Sequence, residues 1–186
     1  MDVVLAIAVV IYLALEIFML RRLYLEEKRL CFKRVRSDFI SASLLLAIIF
    51  VFKIGIPHLV LLFYLIAVLL NAFFGYYLDF FNRSRHFDRY LHSYGIFSFS
   101  LLLYFFLTDF VQSGGSKIFR ALFIVFLGIA LGAIFEILEF LSDAKQKEAR
   151  TRRSARQKGL RDTDLDQIFN GLGSLCGAVF AYFFYL

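Results

Sequence analysis

The sequence has few of the residues that interrupt helices or cross-link chains. It contains one proline, Pro57, and two cysteines, Cys31 and Cys176. A single proline suits mostly unbroken helices, because proline removes a backbone hydrogen-bond donor and kinks a helix interior. Neither cysteine has a partner in a CxxC or CxxH spacing, so we expect no structural zinc site. Cys31 stands in a basic stretch and Cys176 in an apolar one, so we expect no disulfide between them.

The short motifs of several enzyme classes are also absent. The sequence contains no GxSxG, HExxH or GxxxxGK(S/T) motif, the signatures of many serine hydrolases, zinc proteases and P-loop proteins. Asp162, Asp164 and Asp166 have the spacing of calcium-loop ligands, but Gln167 replaces the required glycine and Gly173 the closing glutamate. No internal repeat of recognisable period is present, so an inverted-repeat transporter is not favoured.

Apolar residues, by contrast, are abundant and lie in long runs. They make up 61% of the 186 residues, whereas a soluble domain has about 45–50%. Runs of this length predict an all-α, integral membrane bundle, and the chain length favours a single membrane domain over residues 1–186. We expect about six transmembrane helices, at residues 3–20, 39–52, 58–78, 90–110, 118–141 and 165–186.

Basic residues are concentrated between the apolar runs. The net charge is +6, and most of the lysines and arginines fall in three predicted loops, 21–38, 79–89 and 142–164. Because cytoplasmic loops are rich in lysine and arginine, we expect these loops inside, both termini outside, and a multi-pass protein of the cell (inner) membrane. The same placement explains the charge without a nucleic-acid partner. We expect the loops to contact anionic headgroups of membrane lipids at the cytoplasmic face.

Residues 128–177 carry the clearest polar pattern. One set of residues steps by four, four, three and four, which places it on one face of a helix: Gly128, Gly132, Glu136, Glu139 and Asp143. A second set steps by four, three and four on the last helix: Asp166, Asn170, Gly173 and Gly177. Each helix also carries a GxxxG pair, and small residues at that spacing let membrane helices approach closely.

Two other predicted helices bring polar groups to the same depth. Asn71, Gly75, Asp79 and Asn82 step along the end of the third helix, and Asp88 and His92 open the fourth. All of these groups fall at predicted cytoplasmic helix ends, so we expect them to converge on one polar site. Several have simpler explanations, such as helix packing for the glycines and an N-cap for Asp88. Glu136 has none, because it lies almost two turns inside its helix and ionisable groups inside a bilayer are costly.

These residue types suggest three roles within one site. The catalytic candidates are Glu136, His92 and Asp88; the substrate-binding candidates are Asn71, Asp79, Asn170 and Arg89; the metal-ligand candidates are Glu136, Glu139, Asp143 and Asp166. Carboxylates with a histidine are suited to a divalent cation such as Mg²⁺, Mn²⁺ or Zn²⁺. With a cation bound, one carboxylate or His92 would act as a base toward water. Without one, crowded carboxylates would share protons, as in a proton relay.

Three stretches carry a resemblance to known membrane proteins. They are DRYLHSYGIFS (88–98), GAIFEILEFLSD (132–143) and DTDLDQIFNGLGSLCGA (162–178). Together they resemble the VanZ-like proteins and, more closely, the YjdF-type inner-membrane proteins, since Glu139 stands where VanZ-type sequences tend to have glutamine. The resemblance implies a small multi-span membrane protein and no defined activity.

The leading functional hypothesis is an acidic site at the cytoplasmic leaflet that binds a divalent cation and binds or acts on a lipid or lipid-linked headgroup. One alternative is a proton- or cation-coupled carrier of a small solute that uses the same carboxylates. Another is a noncatalytic membrane scaffold in which the stripes only hold helices together. The residues leave open whether the protein is an enzyme.

Overall fold

The computed structural model describes residues 3–84, 86–108, 115–145 and 160–186, with the side chains of 142–145 and 160–162 outside the description. No strand occurs in these ranges, so the all-helical fold class is confirmed. The helices are α1 (Val3–Leu25), α2 (Arg29–Val51), α3 (His58–Leu69), a π-helical segment (Leu70–Tyr77), α4 (Phe80–Arg83), α5 (Phe87–Thr108), α6 (Lys117–Lys145) and α7 (Leu160–Phe184).

Five helical stretches are long and apolar enough to cross a membrane. They are Val3–Leu25, His58–Tyr77, Phe87–Thr108, Lys117–Leu141 and Thr163–Phe184. The remaining predicted span, 39–52, is the second half of α2, whose first half is strongly charged. Its apolar part is shorter than the roughly 20 residues that a helical crossing needs. The structure therefore has five candidate spans within its described residues, and the placement of both termini outside stays a prediction.

The predicted loops are more helical than the sequence suggested. Stretch 21–38 holds the end of α1, a short turn in which Glu27 has a φ of 54°, and the start of α2. Stretch 79–89 holds α4 and the start of α5, and α6 and α7 extend into both ends of 142–164. A basic stretch can therefore belong to helix ends as well as to loops, because lysine and arginine are good helix formers.

The end of the third predicted helix is not a regular α-helix. The α-helical pattern stops at Leu69, and the π-helical segment ends with the Leu78 amide donating to the carbonyl of Phe73 at 2.9 Å. Asp79 then adopts a left-handed conformation with a φ of 61°. A wider turn changes which residues share a face. Asp79 lies beyond the helical segment, so the predicted stripe does not continue from Asn71 and Gly75 to Asp79 on one helix face.

The helices form two compact units, Met1–Phe87 and Asp88–Leu186. In the first unit, α1 packs against α2, α3 and the π-helical segment. Its core includes a buried cluster whose members come from three of these elements: Met19, Leu23, Val35, Ala72 and Tyr76. That residues 1–186 form a single membrane domain stays a prediction.

In the second unit, glycines and serines bring α5, α6 and α7 close together. A Cβ atom added at Gly128 would overlap the side chain of Ser174, so α6 meets α7 there. A Cβ atom added at Gly173 would overlap the carbonyl oxygen of Ser93, so α7 meets α5 through backbone. The two GxxxG pairs thus face different neighbours. Small residues provide this contact in place of the interlocked large side chains of a soluble core.

We expect Gly173→Ala to destabilise the protein, because the added methyl group overlaps a backbone atom that cannot rotate away. Forced overpacking costs about 1–3 kcal/mol, which for a chain of this size lowers Tm by several degrees. Gly171→Ala is the matched control on the same helix, since a Cβ atom there meets nothing within 4 Å. Thermal unfolding of the purified protein measures both. Equal Tm values for the two variants would contradict the close contact of α5 and α7.

Candidate functional site

Three helices of the second unit supply the polar groups of the candidate site. Asp88 and His92 lie one turn apart on α5, Glu136 and Glu139 one turn apart on α6, and Asp166 and Asn170 one turn apart on α7. Spacings of three and four residues place each pair on one helix face. Each helix therefore contributes one polar face with two groups.

The centre of the site is formed by His92, Glu136 and Asp166. Each offers one ligand atom, and these atoms all lie within 4.8 Å of one another. Glu136 is 6% exposed and Asp166 is 4% exposed, whereas isolated buried carboxylates are rare in proteins because burial disfavours their charge. The structure thus brings together one residue from each helix, in a place that water reaches poorly.

Asn170 holds the imidazole of His92 in one orientation. Nδ1 of His92 lies 3.2 Å from Oδ1 of Asn170, which as an amide oxygen can only accept a hydrogen bond. Nδ1–H is therefore the donor, and in the neutral ring Nε2 keeps a free lone pair. Nε2 lies 3.8 Å from Oδ1 of Asp88. Two electron-rich atoms that face each other in this way favour a cation or a proton between them.

The position of Asn170 depends on a glycine. Asn170 is fully buried, and a Cβ atom added at Gly132 would lie 2.7 Å from its Nδ2 atom. Glycine at position 132 therefore leaves the space that the amide occupies. The polar residue that orients His92 and the small residue that lets α6 approach α7 are parts of one contact.

Negative charge dominates the surroundings of His92. The carboxylates of Asp166, Asp88, Glu139 and Glu136 all act electrostatically on the imidazole. Four acids around one imidazole cannot all be ionised in a partly buried place without positive charge nearby. The arrangement can hold a metal cation, or it can distribute protons among its members.

The other predicted site residues fall in several places. Arg89 is half-buried on α5, next to Asp88, and Asp143 lies on α6 with its side chain outside the described residues. Asn71 and Asp79 belong to the first unit, whereas His92 belongs to the second. Asn71 donates a hydrogen bond of 2.8 Å to Asp38, and Asp79 accepts one of 2.6 Å from Asn82. Their place in one site with His92 stays a prediction.

Sequence reasoning missed a buried acid in the first unit. Glu16 lies in the middle of α1 and is fully buried, as is Tyr12 one turn before it. The sequence itself contains a sign of this acid, because Glu16 is the one acidic residue in the apolar run 3–20. An ionisable group inside a span indicates a functional role by default. Asp38 was treated as part of a loop, so its proximity to α1 could not be anticipated.

One comparison with known proteins supports membrane character. The chain matches, over residues 3–185, a family described as "Predicted membrane protein (DUF2238)". It is also 33% identical over 116 residues to a protein of Thermotoga maritima described as "Uncharacterized protein". That alignment covers 62% of this chain and 58% of the relative. No solved structure matches.

The description of the relative names no activity, and the alignment covers little more than half of the relative's length. The family match, in contrast, extends over nearly every residue and agrees with the five apolar helices. The protein is therefore membrane-embedded and multi-pass, and it belongs to the DUF2238 family of predicted membrane proteins.

Proposed function

We propose that His92, Glu136 and Asp166 bind a divalent cation, and that this site binds or acts on a lipid or lipid-linked headgroup. The observation that supports the proposal is the mutual distance of their ligand atoms, all within 4.8 Å. Ligand atoms on one tetrahedral Zn²⁺ are roughly 3.4 Å apart, given metal–ligand distances of about 2.0–2.2 Å. Small side-chain rotations would therefore suffice to close the site around an ion.

The ligand types favour Zn²⁺ or Mn²⁺ over Mg²⁺. Imidazole nitrogen is a common ligand of zinc and of other transition metals, whereas Mg²⁺ prefers oxygen ligands and keeps several waters. Three protein ligands also leave a coordination position open, as in catalytic zinc sites. Glu139, whose charge also acts on His92, is a candidate for a further ligand, and the predicted ligand Asp143 stays a prediction.

The residues around the ligands have separate roles in the proposed site. Asn170 orients His92 through the hydrogen bond to Nδ1, which leaves Nε2 for the ion. A bound cation would polarise a phosphate or ester oxygen and lower the pKa of a bound water. Asp88, 3.8 Å from His92, is then placed to accept a proton from that water. The cationic side chain of Arg89, adjacent to Asp88 in sequence, is suited to a phosphate.

Membrane lipids are the proposed partners because the site lies on membrane-spanning helices. We place the protein in the cell (inner) membrane with the basic helix ends toward the cytoplasm, where anionic headgroups attract them. The resemblance to VanZ-like and YjdF-type proteins stays a prediction, and the proposed chemistry does not depend on it.

The second candidate function is a proton- or cation-coupled carrier. The observation that favours it is the number of carboxylates acting on His92, namely four, since such groups also relay protons through membranes. The two functions differ in what they change. A hydrolytic site alters lipids, whereas a carrier dissipates a gradient across the membrane.

We expect Asp166→Asn to remove the bound metal from the purified protein, because the neutral amide is a weaker ligand than a carboxylate. Asp164→Asn is the matched control, since Asp164 is exposed two residues earlier on the same helix. Elemental analysis of both variants and the wild type measures the effect. Retention in the wild type should also fall as pH is lowered, because protons compete for the ligands. Absence of any divalent metal in the wild type after incubation with Zn²⁺ or Mn²⁺ rules out the site.

Asn170→Ala should weaken metal binding without abolishing it, because the imidazole loses the group that orients it. Loss of such a partner typically costs 10–100-fold in metal affinity. Ser174→Ala, one turn later on α7, is the control, since the hydroxyl of Ser174 donates within its own helix to the carbonyl of Gly171 at 3.1 Å. Competition with a chromophoric chelator measures both affinities. An unchanged affinity in Asn170→Ala would show that Asn170 does not orient a metal ligand.

The function itself is tested by an unbiased lipid comparison of cells with and without the gene. We expect a lipid difference that is reversed by the wild type and by Asp164→Asn but not by Glu136→Gln. Proteoliposomes provide the second arm. Flux that depends on a pH gradient and disappears in Glu136→Gln would establish the carrier instead. If Glu136→Gln lowers only the thermal stability, with no lipid difference and no flux, the residues act as a scaffold and both proposals fail.

A further inference from the structure

The first unit contains a second buried polar cluster, which the proposed function does not use. Tyr12 and Glu16 come from α1, Asp38 from α2, Tyr64 from α3 and Asn71 from the π-helical segment. Tyr12 and Glu16 are both 0% exposed, and Tyr64 is 3% exposed. Four elements therefore contribute to one polar cluster within the first unit.

Electrostatic interactions connect the members of this cluster. Glu16 and Asp38 act on each other as like charges, and Tyr12 interacts with Glu16, Tyr64 and Asp38. Asn71 donates a hydrogen bond of 2.8 Å to one carboxylate oxygen of Asp38. The ring of Tyr12 packs against Phe39, with ring centroids 6.4 Å apart.

Three buried oxygen atoms of the cluster have no hydrogen-bond partner within the described part of the chain. They are the hydroxyl oxygen of Tyr12 and both carboxylate oxygens of Glu16. A buried polar group without a partner is unfavourable, and a buried carboxylate without a counter-charge is more so. The charge that acts on Glu16 is that of Asp38, which has the same sign. Within the described residues, Glu16 therefore has a like charge acting on it and no hydrogen-bond partner.

We propose that Tyr12, Glu16 and Asp38 form a binding site for one exchangeable monovalent cation, either an alkali ion such as Na⁺ or a proton. The donors are all oxygen atoms, which suits hard cations rather than the softer metals that bind imidazole. The hydrogen bond from Asn71 already satisfies one oxygen of Asp38, so the demand for charge centres on Glu16. Tyr12 contributes a neutral oxygen that can coordinate an ion or share a proton.

This site is independent of the one built around His92. Its titratable members are Glu16 and Tyr12 on α1, Asp38 on α2 and Tyr64 on α3, with Asn71 as the neutral donor. None of these members offers an imidazole nitrogen, so a response to Na⁺ does not report on a site for Zn²⁺ or Mn²⁺. Because protons also bind the cluster around His92, the response to acid is assigned to this site by its loss in Glu16→Gln. Failure of either proposal leaves the other standing.

The experiment is thermal unfolding of the purified protein in NaCl and in choline chloride of equal ionic strength, each over a range of pH. A ligand that binds the folded site and not the unfolded chain raises Tm. We expect Na⁺ to raise the Tm of the wild type by several degrees at neutral pH, or acidification to do so without Na⁺. If acid removes the rise in Tm caused by Na⁺, then Na⁺ and protons compete for one site. If acid alone raises Tm, the bound cation is the proton.

Three variants make the measurement specific. Glu16→Gln should lose both responses, because the amide carries no charge to neutralise. Tyr12→Phe keeps the ring that packs against Phe39 and should weaken the response to Na⁺. Glu27→Gln, exposed in the turn after α1, is the control and should behave as the wild type. The proposal is overturned if the wild type responds to neither Na⁺ nor acid, or if Glu16→Gln keeps the response.

A second measurement covers the case in which Glu16→Gln does not fold. Equilibrium binding of radioactive sodium to the wild type and to Tyr12→Phe, with both carboxylates present, reports the ion directly. Infrared absorption of the protonated carboxyl group reports the proton. We expect one of the two signals in the wild type, with sodium binding weakened in Tyr12→Phe. If neither signal is present at any pH at which the wild type is folded, no cation binds there.

Discussion

Close contact between helices through small residues is the constraint on which the second unit depends. α6 approaches α7 where Gly128 meets Ser174, and α7 approaches α5 where Gly173 meets the backbone of Ser93. Larger residues at these positions would separate the helices and would move Glu136 and Asp166 away from His92. Because lipid tails are as apolar as leucine side chains, such close packing, rather than burial of apolar surface, holds membrane helices together. The same contacts that stabilise the unit therefore set the geometry of its candidate site.

The sequence predicted the fold class and much of the polar face of the second unit. Long apolar runs define membrane helices directly, and spacings of three and four residues place Glu136 with Glu139 and Asp166 with Asn170. The sequence could not show which neighbour each glycine faces, since periodicity orients a residue on its own helix and not toward another. Nor could it show that Asn170 contacts both Gly132 and His92.

The errors in the first unit have a physical origin too. The stripe through Asn71 and Asp79 assumed a regular α-helix, whereas a π-helical turn and a left-handed Asp79 end the third span. The charge in residues 21–38 predicts a loop, whereas this stretch belongs largely to the ends of two long helices. Asp38 consequently escaped notice as a partner of Glu16 and Asn71. Local irregularities of this kind depend on tertiary packing, which a spacing rule does not contain.

The two polar clusters share one energetic problem and differ in the chemistry that solves it. An ionised carboxylate at the centre of a membrane helix costs about 2.5–3.5 kcal/mol, whereas proteins are stable by only about 5–15 kcal/mol. Unneutralised buried acids would therefore remove a sizeable part of that stability. The cluster of His92, Glu136 and Asp166 offers nitrogen and oxygen ligands, and that of Tyr12, Glu16 and Asp38 only oxygen. A ligand that neutralises either cluster also stabilises the fold, so binding and thermal stability should change together at both.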